Sequence, residues 1–224
     1  MGVFLSNIFG NASIGVYSLV TDRLFIVPSL APEGKTEKLG KMLNVKTVFT
    51  TIGGSVLIGA LVCANSKGML LPHFVREEEL EPIRAAGEDM NITVMETKRT
   101  AYGNMVLAND HGAIVDPRTK PETIEQISET LDVEVVAGEI AGLPYVGSLG
   151  LATNKGAVVH PLVKEAEQEI LKNVLRVPID VGTINCGIPY VGTGLLGNSY
   201  GAVAGMLTTG PELWIIENAL DLVG

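Results

Sequence analysis

The sequence predicts an α/β fold built of α+β repeats: a closed five-bladed β/α propeller with pseudo-five-fold symmetry and its helices outside. Three observations predict it. Gly15, Gly59, Gly103, Gly147 and Gly192 recur in steps of 44, 44, 44 and 45 residues. A second register, Gly68, Gly112, Gly156 and Gly201, follows nine residues behind four of them, with Leu24 at that place in the first unit. Five such units use almost all of the 224 residues. No polar capping unit is left at either end, so the terminal units must cover one another and close a ring.

The expected units are residues 1–45, 46–90, 91–132, 133–176 and 177–224 of a single domain. Each opens on an apolar strand, as in 47–49, 92–94, 133–136 and 179–181. A second strand is expected to cross the first glycine. A polar turn follows (Thr21-Asp22-Arg23, Asn65-Ser66-Lys67, Asn109-Asp110-His111, Thr153-Asn154-Lys155, Asn198-Ser199-Tyr200), where Asn and Ser chemistry favours chain reversal. The third strand is apolar and runs to a proline in four units: Pro28, Pro72, Pro117 and Pro161. A helix closes each unit. The expected inner stripes are Val163, Ala166, Ile170 and Val174 in the fourth, and Leu213, Ile216 and Leu220 in the fifth. Pro121 and Pro211 mark helix starts, where a missing N–H costs little. The repeat glycines read as structural, since a Cβ would prevent close backbone approach.

Composition restricts the function classes. Hydrophobic residues make up 46% and aromatics only 5%, so the core is aliphatic and small. The formal net charge of −9 argues against a broad nucleic-acid groove, whose affinity comes from neutralising phosphates, and favours a basic protein partner. The longest apolar run, 56–64, is far short of the ~18–20 residues that span a bilayer, and the amino terminus lacks the cationic head of a secretory signal. A soluble, cytoplasmic monomer is expected.

Candidate chemistry is sparse. Cys63 lies in an aliphatic run and reads as core; Cys186 precedes Gly187 in a turn. His73, His111 and His160 fall at turns or strand ends, and none is spaced to pair with Cys186. No metal-ligand spacing and no phosphate-loop signature occurs. No cofactor, metal, catalytic residue or small-molecule substrate is therefore expected. The run Glu77-Glu78-Glu79 and the spacing Lys35, Lys38, Lys41 read as solvated helix faces. Asn65, Asn109 and Asn198 read as turn formers. The residues after the first glycines, Val16, Ala60, Asn104, Ser148 and Thr193, should lie at one height around one end of the ring. Of these, Asn104 is not demanded by the repeat and has the most room for function.

Several blocks carry a family resemblance over nearly the whole chain: 65–72 (NSKGMLLP), Gly103-Asn104 with Asn109-Asp110, Val146-Gly147-Ser148 with 154–161 (NKGAVVHP), Val177-Pro178, 182–187 (GTINCG) and 208–213 (TTGPEL). In these the sequence resembles the translation initiation factor 6 family of archaea and eukaryotes. It departs at Ala64, where the family often has glycine, and at Ala60, where eukaryotic members carry arginine. The resemblance implies the five-fold fold called a pentein. It implies binding to the large ribosomal subunit, on a ribosomal protein near the sarcin-ricin loop, so that the small subunit cannot join; the share of ribosomal RNA is left open. The resemblance also singles out Asn104 as a contact. The rival class is a guanidine-modifying enzyme of the same fold, a deiminase or amidinotransferase, which needs a Cys/His/carboxylate set around the central cavity. A third is a purely structural or ligand-binding ring.

Overall fold

A computed structural model describes residues 2–222; Met1, Val223 and Gly224, at the outer ends of the first and last expected units, lie outside the described residues. Five similar segments follow one another. The first contains β1 (Val3–Ser6), the one-turn helix α1 (Ile14–Tyr17), β2 (Leu19–Val20), β3 (Leu24–Pro28) and α2 (Glu33–Met42). The second has β4 (Lys46–Thr50), α3 (Ile58–Leu61), β5 (Cys63–Ala64), β6 (Gly68–Pro72) and α4 (Glu77–Ala86). The third has β7 (Asn91–Met95), α5 (Tyr102–Met105), β8 (Val106–Ala108), β9 (Gly112–Val115) and α6 (Pro121–Leu131). Next come β10 (Glu134–Ala137), α7 (Val146–Leu149), β11 (Gly150–Ala152), β12 (Ala157–Val159) and α8 (Glu165–Leu175). The fifth has β13 (Ile179–Val181), α9 (Val191–Gly194), β14 (Leu195–Gly197), β15 (Ala202–Gly205) and α10 (Gly210–Ala219).

These strands form five three-stranded sheets, and each sheet straddles two sequence units. A hairpin such as β2–β3 is antiparallel; the strand opening the next unit then pairs parallel with the middle strand, as β4 does with β3. The long helix between them is the crossover that a parallel pair requires. The last hairpin, β14–β15, takes its third strand from the other end of the chain: β1 pairs parallel with β15, from Val3 opposite Ala202 to Ser6 opposite Gly205. The ring is closed by this clasp, and the fold is the five-fold repeated α/β architecture expected.

The core is divided among the seams. Leu24, Ile26 and Val48 of one sheet pack with Met69, Leu71, Leu80 and Ile83 of the next segment, and comparable clusters fill the other four junctions. The closing seam joins Leu196 and Val203 to Ile14, Phe25, Val27 and Leu43. Each long helix thus lies against its own sheet and the preceding one, and the hairpin strands line the axis. Cys63 is buried, and burial pushes its thiol up to about 12.

Two expectations are corrected. The first glycines lie in the one-turn helices and not in strands. Each of these helices begins on a buried apolar residue (Ile14, Ile58, Tyr102, Val146, Val191), which anchors the turn and delays the hairpin strand until after it. In α8 the inner stripe is Leu171, Val174 and Leu175; Ala166 and Ile170 are exposed and Val163 precedes the helix. Neighbouring i, i+3 and i+4 sets overlap in a short helix, and the set on the sheet side wins burial. The fifth helix buries Ile216 and Leu220 with Leu213 packed partly against them, and Pro121 and Pro211 stand in first turns as expected.

Candidate docking face

The topology gives the ring two unlike ends. Middle and parallel outer strands finish at the same end, where the antiparallel hairpin strand begins. All five one-turn helices therefore gather there around the axis, with the loops leading into them. The polar turns gather at the opposite end.

At the helix end the glycines touch. A Cβ on Gly59 would overlap the carbonyl oxygen of Gly15; the same holds for Gly103 on Gly59, Gly147 on Gly103, Gly192 on Gly147 and Gly15 on Gly192. That cycle of backbone contacts explains the first glycine register. The second register serves another contact: Gly68, Gly112 and Gly156 face the carbonyls of Thr130, Val174 and Ala219 at the ends of neighbouring long helices, and Gly201 lies 3.2 Å by its virtual Cβ from that of Met42. Val16, Ala60, Asn104, Ser148 and Thr193 follow the glycines around the same end, all half-buried. Two are linked: the Ser148 hydroxyl donates to Asn104 Oδ1 at 3.0 Å. Thr193 turns its hydroxyl back to the Tyr190 carbonyl at 2.7 Å.

Outside this inner circle the loops are held by carboxylates. Glu79 accepts from the amides of Gly53 (2.6 Å), Gly54 (2.7 Å) and Arg76 (2.9 Å) and from the Thr51 hydroxyl (2.6 Å). Glu167 takes the amides of Ala141, Gly142 and Lys164. Glu212 takes those of Cys186, Gly187 and Thr209 and the hydroxyls of Thr183 and Thr209. Burial raises the Glu79 and Glu212 carboxyls, but these hydrogen bonds outweigh it; both end below the usual range, Glu212 at about 2. The expectation of a solvated Glu77–Glu79 run fails at Glu79, which turns inward at the third helical position and cannot reach water. Glu residues recurring at 79, 167 and 212 were a legible signal of this clasp. Lys35, Lys38 and Lys41 are exposed as expected.

The same end carries most of the large apolar side chains left exposed. Phe9, Leu30, Leu57, Phe74, Tyr145, Leu162, Tyr190 and Leu207 stand on its loops, the helix starts and the turns that follow the middle strands. Leu30, Phe74, Leu162 and Leu207 occupy one repeat position, and Leu30 and Leu162 are 78% and 73% exposed. Composition could not show this, because the positions are scattered singly along the chain.

The opposite end is polar and self-satisfied. Asn65 Nδ2 donates to the carbonyls of Asn109 (3.1 Å) and Leu131 (2.8 Å); Asn109 repeats this with Thr153 and Leu175, and Asn198 with Thr21 and Leu43. These side chains also accept within their own turns. They form the turns, as expected, and also stitch each turn to its neighbour. Asp22, Ser66, Asp110, Asn154 and Ser199 continue the stitching at the axis. The axial cavity between the two ends, about 90 Å³, is lined by the ring glycines and hairpin strands.

The remaining candidates are dispersed. Cys186 is exposed in a loop with its amide on Glu212. His160 is buried, accepts the Leu162 amide at Nδ1 and stands edge-on to Tyr190; His73 and His111 are exposed on the surface. Among the described residues, no three His, Cys, Asp or Glu side chains are placed to hold a metal ion, and no helix is long and apolar enough to cross a membrane.

The eIF-6 family model matches residues 3–219. The chain is 42% identical over 219 residues to a translation initiation factor 6 of Methanocaldococcus jannaschii, covering 96% of each chain. It is 42% identical over 214 residues to those of Methanosarcina mazei, covering 96% of each, and of Pyrococcus horikoshii, covering 94% of each. With a match from the first strand to the last helix, the chain belongs to the eIF-6 family.

Proposed function

We propose that this protein is a translation initiation factor that binds the large ribosomal subunit through the helix end of its ring and, by its bulk, keeps the small subunit from joining. The observation that carries the reading is the gathering of exposed apolar side chains at that end, around an inner circle of small residues and Asn104. Contiguous exposed apolar surface marks a place for a protein partner. The clasped loops hold it in shape before binding, which lowers the entropy lost on association. An acidic molecule with this face suits a basic ribosomal protein, because complementary charge speeds encounter while apolar anchors hold the complex. The role is that of a monomeric, non-catalytic cytoplasmic wedge: a rigid obstacle needs no turnover.

The test is sedimentation of the purified protein with separated ribosomal subunits, followed by light scattering as they are mixed. Co-sedimentation with the large subunit alone, and suppression of joining in proportion to occupancy, is the expected result. Binding to the small subunit only, or joining at the full rate with the large subunit saturated, overturns the reading.

A further inference from the structure

The third segment departs from its neighbours at one place on the docking face. Where Glu79, Glu167 and Glu212 hold their loops, the equivalent residue is Thr123; the loop it would hold carries Thr97, Lys98 and Arg99. At the repeat position that holds Pro28, Pro72, His160 and Gly205, at the end of the middle strand or just past it, this segment has Asp116. The Asp116 carboxylate is fully buried and accepts four hydrogen bonds. They come from the Arg118 amide (2.8 Å), Arg118 Nε (2.9 Å), Arg118 Nη2 (2.7 Å) and Arg99 Nη1 (2.7 Å). The Arg118 guanidinium holds this carboxyl below the usual range despite burial, with Arg99 adding to the effect. One carboxylate thus fixes two guanidinium groups, and Arg99 spends only one of its five N–H donors on it. Arg118 is held from its other side by the Tyr145 ring, 5.6 Å from its centroid.

The two arginines open on a cavity of about 570 Å³ that Lys98 and Lys120 also line, over a floor that includes Met105. A chain with net charge −9 has collected four of its 16 cations around one hollow, opposed there by Glu96 and Glu122 and, beneath, by Asp116. Fixed guanidinium forks with spare donors match the oxygens of a phosphate, and the lysines add point charge. The apolar part of the lining (Tyr102, Met105, Val106 and Ile127) suits the base that a nucleotide carries. An extended acidic peptide would need cations along its length, whereas here four cations surround one hollow and Glu96 and Glu122 stand among them.

We propose that this cavity is a phosphate-ester site, filled by a phosphodiester of single-stranded RNA presented where the helix end docks. It rests on that docking for its setting, but its test does not involve ribosomal subunits. The experiment is fluorescence anisotropy of a labelled RNA decamer, with inorganic phosphate, AMP and poly-glutamate as competitors. Lys98→Gln/Lys120→Gln removes two cations without touching Asp116; Lys38→Gln/Lys41→Gln on α2 removes the same charge elsewhere. Thermal melting checks that both fold. The expected result is a loss of at least about tenfold in RNA affinity for the first pair and none for the second, with a shallower dependence on salt for the first. Competition by AMP and phosphate at higher concentration, with poly-glutamate inert, supports the site. Equal competition by AMP and RNA keeps the phosphate site and overturns the RNA source. Poly-glutamate displacing RNA assigns the cavity to an acidic protein segment and overturns the proposal. So does absence of RNA binding, or equal loss in both variants. None of these outcomes bears on subunit sedimentation, where the docking reading stands or falls separately.

Discussion

The carbonyl oxygen of Gly192 occupies the place a Cβ on Gly15 would need. The two residues come from the last and first segments, so the contact joins the ends of the repeat, and the same contact recurs at every other junction. A side chain there meets backbone on rigid one-turn helices, which cannot swing aside as a side chain could.

Gly147→Ala is therefore expected to destabilise the ring by about 3 kcal/mol or to prevent folding, at the upper end of overpacking costs. Gly34→Ala in α2, where an added Cβ meets nothing within 4 Å, should be neutral or stabilise by up to about 1 kcal/mol. Urea denaturation measures both. Equal effects would remove the explanation given for the glycine circle.

Glu212→Gln tests the carboxylate clasp. Because the carboxyl is depressed to about 2 in the folded protein, its stabilisation is fully present above the ordinary carboxylate pKa of about 4.3. It fades as pH falls from there through about 2. The variant should melt well below the wild type at pH 7, and the gap should narrow steadily between pH 5 and pH 2. A gap that stays constant with pH would show that the charge of Glu212 does not matter.

Asn104→Arg should weaken binding to the large subunit while leaving the thermal transition near its original temperature. The side chain is half-buried in the circle of one-turn helices and partnered only in part by Ser148, so a long cation would project into the proposed interface. Glu169→Arg on the outer surface of α8 is the control. Normal binding by the first and loss in the second would place the interface on the wrong side of the molecule.

Leu30→Ser/Leu162→Ser separates docking from folding. Both side chains are mostly exposed, so their loss costs little stability, yet as apolar anchors they should cost about tenfold or more in subunit affinity. Quantitative co-sedimentation reads the effect; unchanged affinity would remove the apolar basis of the docking face.

Truncation after Gly210 removes Ile216, Ala219 and Leu220 from the last seam and the Ala219 carbonyl from beside Gly156. The shortened chain should lose its cooperative melt. A transition near the original temperature would contradict mutual dependence of the segments.

The repeat, the ring and the helix positions were legible because two glycine registers and the turn residues obey one period. The one-turn helices were not: four residues starting on a buried aliphatic or, at Tyr102, aromatic side chain look like the beginning of a strand, and what makes them helical is contact with a neighbour far along the chain. Symmetry alone put Asn104 in one circle with Val16, Ala60, Ser148 and Thr193, and the one-turn helices hold all five. Asp116 was invisible for the opposite reason. It breaks the period at a single position, and its meaning depends on Arg99, which the fold brings to it from the preceding loop.

Of the described strands, the one that completes the last sheet is synthesised before all the others. Val3–Ser6 leaves the ribosome long before Ala202–Gly205 exist to receive it. During that interval an apolar Val-Phe-Leu edge travels without its partner, the condition under which nascent strands pair with the wrong neighbour. The four other sheets can assemble in order of translation, but the circle waits for Ala202–Gly205. Completion of this protein is thus a single late step, and a stalled or shortened translation product is an open arc with a sticky end.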